Sequence, residues 1–219
     1  MGNEHFCREK FTALVQWICQ QFKRCIILIP DSVYAVSLQV SQGLNPENAH
    51  TKAMQLTEDF LTEHRPMFQR SDCEFTIVRS ATLVDSTAYQ TYEAALFSLF
   101  HNNGKFNAAI HAFVDTYLSR QSKLTDKDPD HWQRIIELSC EFILAELAVV
   151  ACIIDRGYCV SVYPGSIDLF HDISAGEHPE LPACLMQLIN VGIRFRRRGA
   201  SAEPLPSSES PAETAVADL

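Results

Sequence analysis

The chain has 219 residues, of which 47% are hydrophobic and 21% are charged. This composition suits one globular domain with a sizeable core, and no apolar run reaches the length that spans a bilayer. The first residues lack the basic, apolar and small-residue segments of a signal peptide, so we expect a cytoplasmic protein without a membrane partner. The formal net charge of −9 argues against broad nucleic-acid binding, and we expect no DNA partner.

Eight cysteines occur, mostly inside apolar segments, and no two of them form a Cys-x-x-Cys pair. Zinc sites and redox pairs usually have such spacing, so the sequence favours buried free thiols over a metal site. We expect neither a metal nor a cofactor.

The first part of the chain predicts a helix, a strand and a second helix. Residues 8–22 place apolar side chains at three- and four-residue spacing, which is typical of an amphipathic helix. The run 25–29 is apolar on both faces and predicts a buried parallel strand. The Asn-Pro-Glu sequence at 45–47 has the residue types of a helix start, and we predict that this helix ends near His64, before Pro66.

The middle of the chain is mainly helical in pattern. A second strand is predicted over 74–78, and residues 88–120 predict two helices that are separated near 102–104. Residues 121–130 are polar and are predicted to form a loop. A long helix follows from about Asp130 to Ile154, and its second half is apolar nearly all round, which predicts deep burial.

The last part of the chain predicts strand 159–162, a short helix near 166–174 and a strand near 187–196. Beyond Gly199 the segment 200–219 is rich in Pro, Ser, Ala and Glu, which is typical of a disordered tail. Residues 1–199 therefore predict a single α/β domain with a mostly parallel sheet flanked by helices.

Parallel sheets bind ligands beyond the carboxyl ends of their strands. In the predicted fold these ends lie at the residue pairs 30–31, 79–80 and 163–164. We therefore expect the functional site at this edge of the sheet.

Three stretches, in their order and spacing, support a family resemblance. Gly2-Asn3-Glu4-His5-Phe6 leads into a helix with Gln16-Trp17, Gly43 precedes Glu47 and Ala49, and Phe142-Ile143-Leu144-Ala145-Glu146 precedes Tyr163-Pro164. Over most of residues 2–198 the chain resembles the tRNA-dependent cyclodipeptide synthases. The resemblance implies a Rossmann-like fold similar to the catalytic domain of class I aminoacyl-tRNA synthetases.

The resemblance also implies an activity. The family uses two aminoacyl-tRNAs per turnover and releases a cyclic dipeptide, a diketopiperazine. In its ping-pong reaction a serine takes the first aminoacyl group, and the amine of the second aminoacyl-tRNA attacks this acyl-enzyme. The dipeptide then cyclises. On this basis we expect an aminoacyltransferase whose partners are aminoacyl-tRNAs.

Glu146 and Tyr163 are the predicted catalytic residues. An ionised carboxylate on a mostly apolar helix is unfavourable without a partner, which is either a basic side chain or the α-ammonium of a substrate. The resemblance implies the second role for Glu146. Phe142 lies one helical turn earlier, where the family usually has Tyr, so the ring is kept and the hydroxyl is lost. A phenol is a poor base at neutral pH, which favours a proton-relay role for Tyr163.

The resemblance implies further contacts with the substrates. Asn3 matches the Asn of the family's serine loop, and the predicted substrate-binding residues are Asn3, Phe142, Leu28, Pro30, Val149 and Ser161. Many members bind tRNA through a basic helix, but here the helix after 45–47 contains Lys52 followed mainly by acidic residues. The predicted tRNA-binding residues are Lys52 and a dense basic cluster, Arg194, Arg196, Arg197 and Arg198.

The nucleophile is the main departure from the family pattern. By the family's spacing the serine and its strand would precede Met1. We hypothesise that the translation start was placed too late, and the alternative is an inactive homologue that binds aminoacyl-tRNA or another partner. Nothing in the spacing favours Ser32, Ser80 or Ser161 as a substitute.

Two other enzyme classes compete with this interpretation. A cysteine-dependent acyltransferase could use Cys7 with His5, although the sequence offers no evident third partner. A nucleotide-binding enzyme is disfavoured, because neither G-x-G-x-x-G nor a P-loop is present.

Overall fold

The computed structural model describes residues 8–69, 72–120, 128–164, 167–195 and 217–218. Its elements follow in the order α1 (Arg8–Gln21), β1 (Arg24–Ile29), α2 (Asp31–Gln42), α3 (Pro46–Phe68), β2 (Glu74–Arg79), α4 (Thr87–Asn102), α5 (Gly104–Ser119), α6 (Pro129–Ile154), β3 (Val160–Pro164), α7 (Asp168–Ser174), β4 (Ile189–Arg194) and β5 (Ala217–Asp218).

Most of the predicted elements are confirmed, and local residue chemistry explains their ends. The break between α4 and α5 is made by Asn103, whose side chain accepts a hydrogen bond from the backbone N–H of Phe106 and caps α5. The second half of α6 is deeply buried, as its apolar pattern predicts. Gly157, with φ of 86°, turns the chain from α6 towards β3 in a conformation that favours glycine.

The predicted start of α3 is confirmed, but its predicted end is wrong. Asn45 caps the helix by accepting a hydrogen bond from the backbone N–H of Asn48 at 2.9 Å. The helix continues through Pro66 to Phe68. Proline removes one backbone hydrogen bond. The buried Phe68 packs edge-on against Phe11 of α1, which favours continuation of the last turn.

Helix α2 was not predicted. It begins directly after β1, and Pro30 at its N-cap position provides no side-chain cap. Three β-branched valines lower its intrinsic helix propensity. The helix is stabilised instead by packing against α3 and α6 and by side chains from the end of β2, which are described below.

All described strand pairs are parallel, which confirms the predicted α/β class. β1 pairs with β2 from Arg24↔Glu74 to Ile29↔Arg79, and β3 pairs with β4 from Val160↔Ile189. The described strands therefore form two groups, β1-β2 and β3-β4-β5, rather than one continuous sheet.

The two strand groups contribute to one common apolar cluster, and β1 also contributes to a second cluster. Cys25 and Ile27 of β1 pack with α1, with the end of α3 and with Val162 of β3. The alternate residues Ile26 and Leu28 pack with the larger cluster that α4, α5, α6 and α7 form. Because neighbouring side chains of a strand point to opposite faces, β1 lies between these two clusters.

One expectation about the strands needs correction, and another, about the end of the chain, stays a prediction. Strand β1 was predicted to be buried on both faces, yet of its residues only Ile29 is fully buried. One edge of β1 has no strand partner within the described residues, which explains the partial exposure. Of the segment 200–219, predicted to be disordered, only residues 217–218 are described, and they form β5 beside the end of β4. The rest of that segment, and the predicted loop at 121–127, lie outside the described residues.

The described residues bear on the predictions about cysteines, metal sites and membrane spans. The seven described cysteines are free, and four of them are buried. No group of metal-binding side chains occurs among the described residues. No described helix is both long enough and apolar enough to cross a membrane.

Candidate active site

A buried ion pair lies at the carboxyl ends of β1 and β2. Asp31, which follows β1, is 0% exposed, and Arg79 is the last residue of β2. Arg79 Nε donates to Asp31 Oδ2 at 2.5 Å. Asp31 Oδ1 accepts hydrogen bonds of 2.9 Å from Ser32 N, Ser80 Oγ and Ala81 N. This network joins the end of β2 to the beginning of α2.

The electrostatics of Asp31 show a structural role. Burial acts to raise its pKa, but the hydrogen bonds from Ala81, Arg79, Ser32 and Ser80 outweigh burial and hold the pKa below its ordinary value. Asp31 is therefore ionised at neutral pH, and both of its oxygens are occupied. Asp31 and Arg79 do meet at the carboxyl ends of the parallel strands, where the sequence predicts the functional site. The ion pair stabilises the fold, however, and leaves no open group for a ligand.

Glu146 is an unpaired acid on an apolar helix. It lies in the buried half of α6 and is itself half-buried. Within the described part of the chain, no hydrogen bond or ion pair reaches its carboxylate. Burial raises the pKa of Glu146 to about 7. The group is therefore divided between its protonated and ionised forms near neutral pH, which suits proton transfer or cation binding.

A pair of hydrogen-bonded hydroxyl groups from α2 and α5 lies close enough to Glu146 for its charge to act on one of them. Tyr117 Oη and Ser37 Oγ are 2.9 Å apart. Burial raises the pKa of Tyr117, the bond to Ser37 acts in the opposite direction, and the charge of Glu146 raises it further. Tyr34, one turn before Ser37 on α2, has its pKa raised by burial and by Tyr117. An acid, two phenols and an alcohol thus lie close together where α2, α5 and α6 meet, and of these only the acid is predicted from the sequence.

The second predicted catalytic residue, Tyr163, is half-buried at the carboxyl end of β3. No hydrogen bond or ion pair between described residues joins it to Glu146. An open cavity of about 430 Å³ lies elsewhere, between α5 and α7, where Lys105, His171 and His178 are among its lining residues. The meeting of Glu146 and Tyr163 around a substrate therefore stays a prediction.

Comparison with known proteins decides the family. The family model for cyclodipeptide synthase matches residues 1–181. The chain belongs to this family. No curated protein gives a significant match. Among solved structures, a cyclodipeptide synthase from Fluoribacter dumoffii superposes with a TM-score of 0.71 at 24% identity, covering 82% of each chain.

Two further solved structures support the same fold. A cyclodipeptide synthase from Bacillus thermoamylovorans has a TM-score of 0.68 at 18% identity and covers 83% of this chain and 80% of its own. A Mycobacterium tuberculosis protein, described as showing that cyclodipeptide synthetases are related to type I tRNA synthetases, has a TM-score of 0.56 at 13% identity and covers 94% and 78%. The chain therefore has the mixed α/β cyclodipeptide synthase fold, as the sequence resemblance implied.

The predicted substrate-binding residues occupy different environments. Phe142 and Leu28 are half-buried and pack against the large apolar cluster. Ser161 of β3 is also half-buried, and Pro30 sits at the turn into α2. Val149 is 1% exposed inside the core, so it contacts protein rather than open space. Asn3 lies outside the described residues, and the roles of all six residues stay predictions.

Only some of the predicted tRNA-binding residues lie within the described part of the chain. Lys52 is exposed on α3, where its Nζ donates to Gln42 Oε1 at 2.7 Å. The backbone of Arg194 ends β4. Arg196, Arg197 and Arg198 lie outside the described residues. Their contacts with tRNA stay predictions.

Ser32, Ser80 and Cys140 lie in surroundings that do not activate them as nucleophiles. Ser80 is 0% exposed and donates to Asp31, and Ser32 Oγ lies 2.8 Å from Ser80 Oγ, so both support the ion-pair network. Cys140 Sγ lies 3.9 Å from His111 Nδ1, but burial raises the pKa of Cys140 to about 11, which disfavours the reactive thiolate. Cys7 and His5, the pair of the competing cysteine mechanism, lie outside the described residues.

Proposed function

We propose that this cyclodipeptide synthase joins the aminoacyl groups of two aminoacyl-tRNAs into a diketopiperazine by a ping-pong acyl-enzyme mechanism. Family membership supports the reaction class. The observation that carries the proposal is the half-buried Glu146 carboxylate, which has no partner within the described residues and has a pKa raised to about 7. The α-ammonium of an aminoacyl group supplies the missing countercharge.

In the proposed mechanism Glu146 holds the amine of the aminoacyl group and accepts a proton from it, because only the neutral amine can attack the acyl-enzyme. Tyr163 relays a proton near the acyl carbonyl. Phe142 offers its ring but no hydrogen bond at the position where the family usually has Tyr. We propose that Tyr117, held by Ser37, supplies a hydroxyl near Glu146 from a different helix.

Tyr117→Phe tests that positioning role. The variant keeps the ring and loses the hydroxyl that bonds Ser37, so we expect diketopiperazine formation to fall by roughly tenfold, which corresponds to one lost hydrogen bond of ~1.4 kcal/mol. The rate with saturating aminoacyl-tRNA and the half-saturating concentration are measured separately. As a control, Tyr89→Phe removes a hydroxyl that bonds Glu93 on α4. Equal losses in the two variants contradict a specific role for Tyr117.

Expression with culture-medium analysis tests the activity itself. The 219-residue chain and a chain extended upstream of Met1 are each expressed, and diketopiperazines in the medium are identified by mass spectrometry. We expect product from at least one of the two chains. In that chain we expect Tyr163→Phe to lower the yield by about 10²-fold, because the phenol relays a proton in the proposed mechanism. Binding of aminoacyl-tRNA without product from either chain contradicts the synthase and supports a non-catalytic homologue.

A further inference from the structure

A buried histidine lies at the contact between α1 and α3. His64, near the end of α3, is 2% exposed. Its ring centroid lies 4.7 Å from that of Phe11 on α1 and 4.5 Å from that of Phe60 on α3. The two phenylalanine rings also contact each other edge-on, at 5.5 Å. The imidazole is therefore part of the aromatic packing that holds α1 against α3.

One polar atom of the imidazole ring is unsatisfied. His64 Nδ1 is buried and has no hydrogen-bond partner within the described part of the chain. A buried polar atom without a partner lowers the stability of a fold, and a phenyl ring at this position would avoid that loss. Packing alone therefore does not account for a histidine here. What distinguishes histidine from phenylalanine is that its ring gains a proton between about pH 5 and 8.

The surroundings of His64 oppose its protonation. Burial holds the pKa of His64 below its ordinary value, because a charged ring would lose its hydration. Among the described residues, Glu63 and Arg8 are the charged groups that act on the ring. Glu63 Oε2 lies 4.0 Å from His64 Nε2, but this carboxylate is 59% exposed, so solvent screens its attraction. The charge of Arg8, on α1, lowers the pKa further.

We propose that His64 is an acid-sensitive latch between α1 and α3: the neutral ring holds the two helices together, and its protonation releases α1. The ring takes up one proton from water, and the imidazolium needs hydration that its aromatic neighbours do not provide while the helices are packed. Release exposes the apolar side chains of α1, among them Phe11, Leu14 and Ile18. The inference concerns the packing of α1 and does not rest on the proposed function.

The pH range of the latch follows from proton binding in the two states. While α1 is packed, the pKa of His64 lies below its ordinary value of 6.5, and on release it returns towards that value. The released state therefore binds more protons as pH falls below about 6.5. It is favoured by up to about tenfold per pH unit, until the packed ring is itself protonated. Above this range both states are neutral, and pH no longer acts on the latch.

Hydrogen exchange of the 219-residue chain between pH 5 and 8, followed by mass spectrometry of peptides, tests the latch. Exchange is expressed as a protection factor, which removes the effect of pH on the intrinsic exchange rate. From pH 7 to pH 5 we expect the protection of α1 amides to fall by at least about threefold. The protection of α6 amides should not fall, because α6 does not take part in this contact.

His64→Phe is expected to remove the acid sensitivity of α1, because the phenyl ring keeps the aromatic contacts and cannot be protonated. His64→Gln, which is polar but does not titrate, should do the same and replaces His64→Phe if that variant does not fold. His178→Phe is the matched control. His178 is also 2% exposed, but its Nδ1 lies 3.3 Å from Glu180 Oε1, so its charge has a partner. This control should keep the acid sensitivity of α1.

Three results overturn the proposal. The first is an α1 that stays protected at pH 5 in the unmodified chain. The second is an equal loss of protection in α1 and α6, which indicates global unfolding. The third is an α1 that remains acid-sensitive in the folded His64 variant. Loss of protection that is confined to α1 and depends on His64 supports the latch.

Discussion

Glu146→Gln is expected to lower diketopiperazine formation by at least about 10²-fold. The amide cannot accept a proton from the substrate amine, and it offers no countercharge to an α-ammonium. Because the pKa of Glu146 is raised to about 7, we expect kcat/KM of the unmodified enzyme to increase with pH through this value as the carboxylate forms. The measurement is product formation between pH 5.5 and 8.5 in both proteins.

Glu141→Gln is the matched control for this substitution. Glu141 lies five residues earlier on α6, is exposed and lies 3.8 Å from Arg134, so it is an acid that solvent and a cation already stabilise. We expect its replacement to leave product formation unchanged. An equal yield from Glu146→Gln and the unmodified enzyme removes the proposed amine contact.

Glu146→Gln is also expected to stabilise the fold at alkaline pH. The folded-state pKa of Glu146 is higher than its value of 4.5 in an unfolded chain, so the native state binds more protons between pH 4.5 and about 7. Stability is therefore lost as pH rises through this range and levels off above it. The shift corresponds to at most about 3 kcal/mol, because part of the side chain still meets solvent.

Urea unfolding measures this difference. At pH 8 we expect the Glu146→Gln protein to unfold at a higher urea concentration than the unmodified chain, and below pH 4.5 we expect the two midpoints to converge. A Glu146→Gln protein that is more stable but less active than the unmodified chain shows that Glu146 is a functional acid rather than a structural one. A Glu146→Gln protein that is less stable at pH 8 contradicts the absence of a partner for this carboxylate.

Local sequence signals were sufficient for α6 and insufficient for α2. The long apolar run of α6 predicts burial wherever the helix packs, so an acid within it was conspicuous without any structure. In α2 the local signals point the other way, with three valines and no side-chain cap. Ser80 Oγ, 48 residues away, accepts from the N–H of Ser32 and so performs the capping role. No window of local sequence contains that contact.

The hydroxyl pair beside Glu146 was missed for a related reason. Ser37 and Tyr117 are 80 residues apart, and Ser37 belongs to the helix that was not predicted. The family resemblance directed attention to Phe142, which faces the same side of α6 as Glu146, and therefore to a missing hydroxyl. A structure was needed to show that a phenol from α5 comes within electrostatic range of the same acid.

Asp31→Asn is expected to destabilise the fold by about 1 to 3 kcal/mol, the range for leaving buried hydrogen-bonding groups without a partner. The substitution leaves Arg79 without its buried countercharge. It also replaces one of two oxygens that between them accept four hydrogen bonds with an amide nitrogen that cannot accept any. Urea unfolding at pH 7 measures the loss, and an intact far-UV circular dichroism spectrum shows that the variant folds.

Glu58→Gln is the control, because Glu58 contacts the same arginine from an exposed position. Its side chain is 58% exposed, and exposed ion pairs contribute about 0 to 1 kcal/mol. The pH dependence of the free energy of unfolding provides a second test. The pKa of Asp31 lies below its ordinary value, so its stabilisation is present above that value and is lost as pH falls through the lowered pKa.

The Asp31→Asn protein should lack this pH-dependent part of the stability, whereas the Glu58→Gln protein should retain it.

The position of the Asp31 network also has a consequence for function. The bonds from Asp31 and Ser80 fix the first turn of α2, and Ser37 stands on that helix opposite Tyr117. We therefore expect Asp31→Asn to reduce diketopiperazine formation even at temperatures at which it is folded. Small and similar stability losses in the two variants contradict the assigned role of Asp31.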